Sequence, residues 1–168
     1  MLLTISDLAA QAFQASELRA AYLYNFAQLI TWPSETFSSP NDSFLICLLE
    51  VSTENQSAMA KLDARTYHDH PIKVQVIQDL SRASECQMLY TDGRHGLSTQ
   101  RILRTLDGLP ILIIDSSLGA ASAGASIELI EVEGRLRWIL NLDAIQDAQL
   151  QVSSKLIEIS RRVIGEKR

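Results

Sequence analysis

Three groups of residues in this 168-residue sequence have types and spacings that could do chemistry. The first is Gly119-Ala-Ala-Ser-Ala-Gly124, directly after the apolar run Ile111–Ile114. A phosphate-binding loop needs Lys and then Ser or Thr after its second glycine, to reach the phosphates and a magnesium ion. Ala125 stands at the lysine position with Ser126 after it, and the following residues read as a strand, so no helix N-terminus faces a phosphate. The segment reads as a turn of small residues packed closely against its neighbours. The second group is His68-Asp69-His70. Histidines at i and i+2 can share a metal, but a site needs a third or fourth ligand, and His95 is the only other histidine. A polar loop ahead of the Pro71-led strand is expected instead. The third is Asp115, which ends a buried run where α/β sheets often meet ligands. With His95 and the serines it supplies the residue types of a hydrolase, yet no G-x-S-x-G elbow surrounds any serine. A phospho-accepting receiver would need an acidic pair after the first strand, and Glu50 stands there beside Val51. A single carboxylate holds magnesium poorly. Asp115 is therefore expected to be a turn residue, and no catalytic residue, cofactor or metal site is expected.

The two cysteines, Cys47 and Cys86, lack the C-x-x-C spacing of redox and zinc motifs. Cys47 lies within an apolar run and Cys86 just before another. They could bond if their Cα atoms come within about 6 Å, and the closed loop would then contribute about 3–4 kcal/mol in the chain-entropy model. Equally, they could be two buried free thiols.

Elements that would position these residues can be read from periodicity. Leu18, Tyr22, Phe26 and Leu29 recur on one helical face, with Ser16 as N-cap and Trp32-Pro33 as the stop. Residues 1–16 ahead of it read either as a simple helix or as the remnant of a signal peptide, since Ala10-Gln11-Ala12 resembles a cleavage site while no basic residue precedes the apolar start. Strands are expected at Phe44–Leu49, Ile72–Ile77, Met88–Tyr90 and Ile111–Ile114, the unbroken runs suiting strands covered on both faces. Ser52–Leu62 and Ser98–Leu106 read as helices. Ile127–Val132 and Leu136–Leu140 flank Glu133-Gly134 as an antiparallel hairpin. Two short helices are expected to close the chain, the last with Val152, Leu156, Ile159 and Val163 on one face. This order gives an α/β class: one three-layer domain, its five- to six-stranded mixed sheet flanked by helices, with a C-terminal hairpin and then helices. The balance of 15 basic to 20 acidic side chains, without a Lys/Arg tract, argues against nucleic acid. No run reaches the ~20 apolar residues of a membrane span.

Several motifs, in order, resemble the YfiR family. The stretch Glu17–Pro33, with Tyr22, Asn25, Phe26, Trp32 and Pro33, looks like its opening helix ending in Trp-Pro. Ser84–Tyr90 is similar to its cysteine ahead of a short strand, and Leu109–Ser116 to its later strand. Arg137–Asn141 followed by Leu150–Leu156, with Asn141, Ser153 and Ser154, matches the ending. The resemblance runs from about Glu17 to Val163, so residues 17–168 form one domain of this type. It implies an exported α/β protein without catalysis and with a tendency to dimerise. It also implies a disulfide between Cys47 and Cys86, and a periplasmic role restraining a membrane-bound diguanylate cyclase through its periplasmic domain. The family's paired glycines are Ala123-Gly124 here, its loop phenylalanine is replaced, and a second cysteine pair found in some relatives is missing. The rival expectation is a periplasmic small-molecule sensor with its ligand at the strand ends near Asp115 and Gly119–Gly124.

Overall fold

The structure, a computed structural model, describes residues 5–93 and 98–165. Its first element is the helix α1, Ile5–Leu29. Alanine, the strongest helix former, recurs through its first half, and the helix runs straight through Ser16. That residue is not an N-cap: it is buried, and its Oγ donates to the Ala12 carbonyl one turn back at 3.0 Å. The buried stripe is Ala20, Leu23, Phe26 and Ala27, with Ile30 beyond, whereas Leu18 is 42% exposed and Tyr22 and Leu29 sit at the rim.

Strands follow as β1 (Ile30–Thr31), β2 (Phe44–Leu49), β3 (Thr66–Tyr67), β4 (His70–Ile77), β5 (Met88–Thr91), β6 (Leu112–Asp115), β7 (Ile127–Val132), β8 (Arg135–Asn141), β9 (Gln151–Val152) and β10 (Arg162–Ile164). The main sheet has the order β10-β8-β7-β6-β5-β2-β4-β3, and β1 pairs with β9 in a separate ribbon. The run β4-β2-β5-β6-β7 is parallel, β8 is antiparallel to β7, and β10 is parallel to β8. The sheet is thus mixed as expected. It has eight strands rather than five or six, because the two short edge strands β3 and β10 join it. The hairpin turn Glu133-Gly134 takes φ of 51° and 71°, the left-handed pair that a two-residue turn between right-twisted strands requires.

Helices α2 (Thr53–Ala60), α3 (Thr99–Thr105), α4 (Ala120–Ala123), α5 (Leu142–Asp147) and α6 (Ser154–Glu158) fill the connections. The expected final helix is shorter than its apolar spacing suggested. Val152 belongs to β9 and Val163 to β10, so only Ser154–Glu158 is helical. Two apolar cores sandwich the sheet. One, under α1, joins Leu23 and Phe26 to Ile46, Leu48, Met88, Leu112 and Trp138. The other joins Cys47, Leu49, Leu89 and Ile113 to Ile102 of α3 and Ala120 of α4. Each central strand therefore buries both faces, which its unbroken apolar run required. At the β4 edge, outside the reach of β3, the Val74 N–H donates to Asp63 Oδ1 at 2.6 Å.

Candidate functional site

A doubly wound sheet offers its binding crevice where the chain reverses its direction of winding. Here the chain passes from β2 outward to β4, then crosses to β5 on the other side of β2. The crevice therefore opens beyond the carboxyl ends of β2 and β5. A cleft of about 300 Å³ lies there, lined by Arg19, Asn55, Asp92, Ser116, Leu118 and Glu131 among others. Its lining residue Asp92 is bonded within the protein. The Asp92 carboxylate accepts from the Ser52 backbone N–H at 2.8 Å, from Asn55 Nδ2 at 2.9 Å and from the Tyr90 hydroxyl at 2.7 Å. Ser52 also caps α2, so one carboxylate ties the start of that helix to β5. Burial and the neighbouring Asp92 charge raise the Tyr90 pKa, which keeps its hydroxyl protonated and donating. Asn55 is buried, and its Oδ1 has no hydrogen-bond partner among the described residues.

The neighbouring loops are filled in the same manner. Asp115 is buried, accepting from Thr99 Oγ1 and from the Ser117 N–H, both at 2.7 Å. It is the strand-end turn residue expected from the sequence. Gly93, at φ 67°, approaches Ser117 so closely that a Cβ would collide with that side chain. The Gly119–Gly124 segment departs from expectation in one respect: residues 120–123 form a helical turn, α4. The N–H groups of Gly119 and Ala121 at its start both donate to the buried Glu128 carboxylate, each at 3.0 Å. An anion seat does exist, then, and this chain's own glutamate occupies it. Asn141 locks the arrangement: Nδ2 donates to the Ala121 carbonyl at 2.8 Å while Oδ1 caps α5 through the Ala144 N–H.

His68 and His70 do not converge. His70 stacks on Phe37 with centroids 3.9 Å apart and donates from Nδ1 to the Asp42 carbonyl, while His68 lies edge-on to Tyr67. Among the described residues no three His, Cys, Asp or Glu side chains gather as a metal site; His95 lies outside the described residues. Cys47 and Cys86, in contrast, form a disulfide with Cα atoms 6.0 Å apart, joining the middle of β2 to the approach to β5.

Residues of the sequence motifs hold elements together. Tyr22 and Phe26 pack on Trp138 of β8, at 5.0 and 5.4 Å between centroids. Trp32 packs edge-on against Phe44 and Tyr67 and donates from Nε1 to the Gln87 carbonyl at 3.1 Å, with Pro33 ending the segment. The Ser153 N–H donates to the Leu29 carbonyl, and its Oγ caps α6 at Ser154–Glu158. Asn25 is exposed on α1. The model of the YfiR/HmsC-like family matches residues 16–161.

This chain belongs to the YfiR/HmsC-like family. The family includes periplasmic regulatory proteins. A comparison with curated proteins gives no match. Among solved structures, the chain is similar to a conserved domain protein of Vibrio cholerae O1 biovar El Tor, with a TM-score of 0.52 and 10% identity over 71% of this chain and 54% of that one. It is also similar to an ABC domain of Streptococcus pneumonia in complex with L-Trp, with a TM-score of 0.53 and 7% identity over 71% and 55%. The chain thus spans about half the length of these structures, and they share its fold alone. Among the described residues of this YfiR/HmsC-like chain, no helix is long and apolar enough to cross a membrane. Sequence reasoning missed Asp92, Asn55, Tyr90 and Glu128. Only Glu128 left a signal, as the one charge inside Ile127-Glu-Leu-Ile130.

Proposed function

We propose that this chain restrains a membrane-bound signalling enzyme, a diguanylate cyclase, by binding its periplasmic domain, and that it does so as a homodimer. The observation that carries the reading is the crevice at the winding reversal. Asp92, Asp115 and Glu128, the groups that could have held a ligand, are spent on this chain's own N–H and O–H donors. A fold whose binding crevice is used for its own cohesion leaves its outer surface as the working part. The disulfide supports export, since such bonds persist in oxidising compartments, and the family match supports a partner protein.

Restraint makes the enzyme's product the readout. Deleting the gene is expected to raise cyclic-di-GMP and biofilm, with reversal on complementation. The periplasmic segment of a cyclase encoded beside it should be retained by the purified chain. Unchanged cyclic-di-GMP on deletion, together with no retention, overturns the proposal.

A further inference from the structure

The helical layer that covers the α3 side of the sheet stops at α4, above the first residues of β7, where Glu128 is held. Beyond it the register places Ile130 beside Arg137, Val132 beside Arg135, and Arg162 beside Ile139. Side chains paired in this way share one face of the sheet. Their alternate neighbours, Leu129, Leu136, Trp138 and Leu140, are buried on the α1 side. Ile130, Val132, Ile139 and Ile164 are only half-buried and belong to neither core. This end of the sheet is therefore an uncovered face of β-branched side chains interleaved with arginines.

Charge on this face runs against the rest of the molecule. The chain carries a net charge of −5, yet the face presents three guanidinium groups. Among the described residues the Arg137 guanidinium donates only to the adjacent Leu136 carbonyl, at 3.2 Å, and none of the three arginines has an ion-pair partner. Arg135 and Arg137, two residues apart on one strand, stand about 7 Å from each other. Carboxylates three or four residues apart on a helix are spaced about 5–6 Å, and arginine forks bind carboxylates two bonds at a time.

We infer that the open face of β7, β8 and β10 docks an acidic amphipathic helix of the partner protein. Its carboxylates would meet Arg135, Arg137 and Arg162, and its apolar side chains would cover Ile130, Val132 and Ile139. An anionic bilayer is the poorer fit: it repels a chain of net charge −5, and half-buried Ile and Val side chains offer no wedge to enter the acyl layer. The inference rests on the reading that this chain acts by binding a protein, and names the surface and the partner chemistry.

The test titrates the full disulfide-bonded chain with a labelled peptide of Leu and Glu at amphipathic helical spacing. The same peptide with Lys for Glu, and phosphatidylglycerol vesicles, are the comparisons. The Leu/Glu peptide is expected to bind, to weaken as salt is added, and to weaken about tenfold or more in Arg135→Glu/Arg162→Glu. Both positions are exposed; should that variant fail to fold, Arg135→Gln/Arg162→Gln is expected to weaken binding by a smaller factor. Equal binding of the two peptides, binding unchanged in the variants, or retention by vesicles alone overturns the inference. So does a charge reversal that alters only the oligomeric state. None of these outcomes touches the cyclic-di-GMP response to gene deletion, so this surface can fail while the restraint stands.

Discussion

Cys47 is inaccessible to solvent in the middle of β2, and Cys86 is 3% exposed where the chain turns into β5. A bond at this place holds the two strands that flank the binding crevice, across a sequence separation of 39. Replacing both cysteines by alanine is expected to lower the free energy of unfolding by about 3–4 kcal/mol, read as an earlier urea midpoint than that of the oxidised protein. An unchanged midpoint would show that the bond constrains little in the unfolded chain. The same residue-level economy applies to the buried carboxylates. Asp115 and Glu128 each meet two donors, so their burial is compensated by charge-assisted hydrogen bonds.

Asn141 and Ser153 are both helix caps, but they serve their elements unequally. Ser153 Oγ satisfies one N–H of α6, so Ser153→Ala is expected to cost about 1 kcal/mol. Asn141 caps α5 and also holds the Ala121 carbonyl of α4 from a buried position, so Asn141→Ala is expected to cost about 2–3 kcal/mol. Thermal or urea melts of the two variants check the order, and equal costs would mean the α4 contact contributes nothing net. The six longer strands of the sheet were legible in the sequence because each is an apolar or alternating run bounded by turn residues. The ribbon of β1 and β9 was not: two-residue strands carry no periodicity, and this pair exists because the Ser153 N–H finds the Leu29 carbonyl in space. Val152, Leu156, Ile159 and Val163 mimicked one helical face although the chain uses them in three different elements. At the site, Asp115 was legible as a strand-end residue. Asp92 was not legible, because its role depends on Ser52 and Asn55, about 40 residues away in sequence.

Across the whole molecule, the polar groups at the crevice of a doubly wound sheet are bonded to one another, and the surface proposed to bind a partner lies toward one end of the sheet. That end is β10. The other end is the two-residue β3, and the part of β4 that β3 leaves unpaired is finished differently. There the Val74 N–H, which would otherwise face outward as a free donor, is taken by Asp63 from the turn just before β3. A single carboxylate thus acts as a chain terminator for the sheet, occupying the position an incoming strand would need, with a charge that repels it. Asp63→Ala is expected to leave the fold and the disulfide in place but to convert a finite sheet into one that can be extended. Concentration-dependent assemblies, with the amyloid-type dye response of strand addition, should appear in light scattering of the variant and not of the wild type.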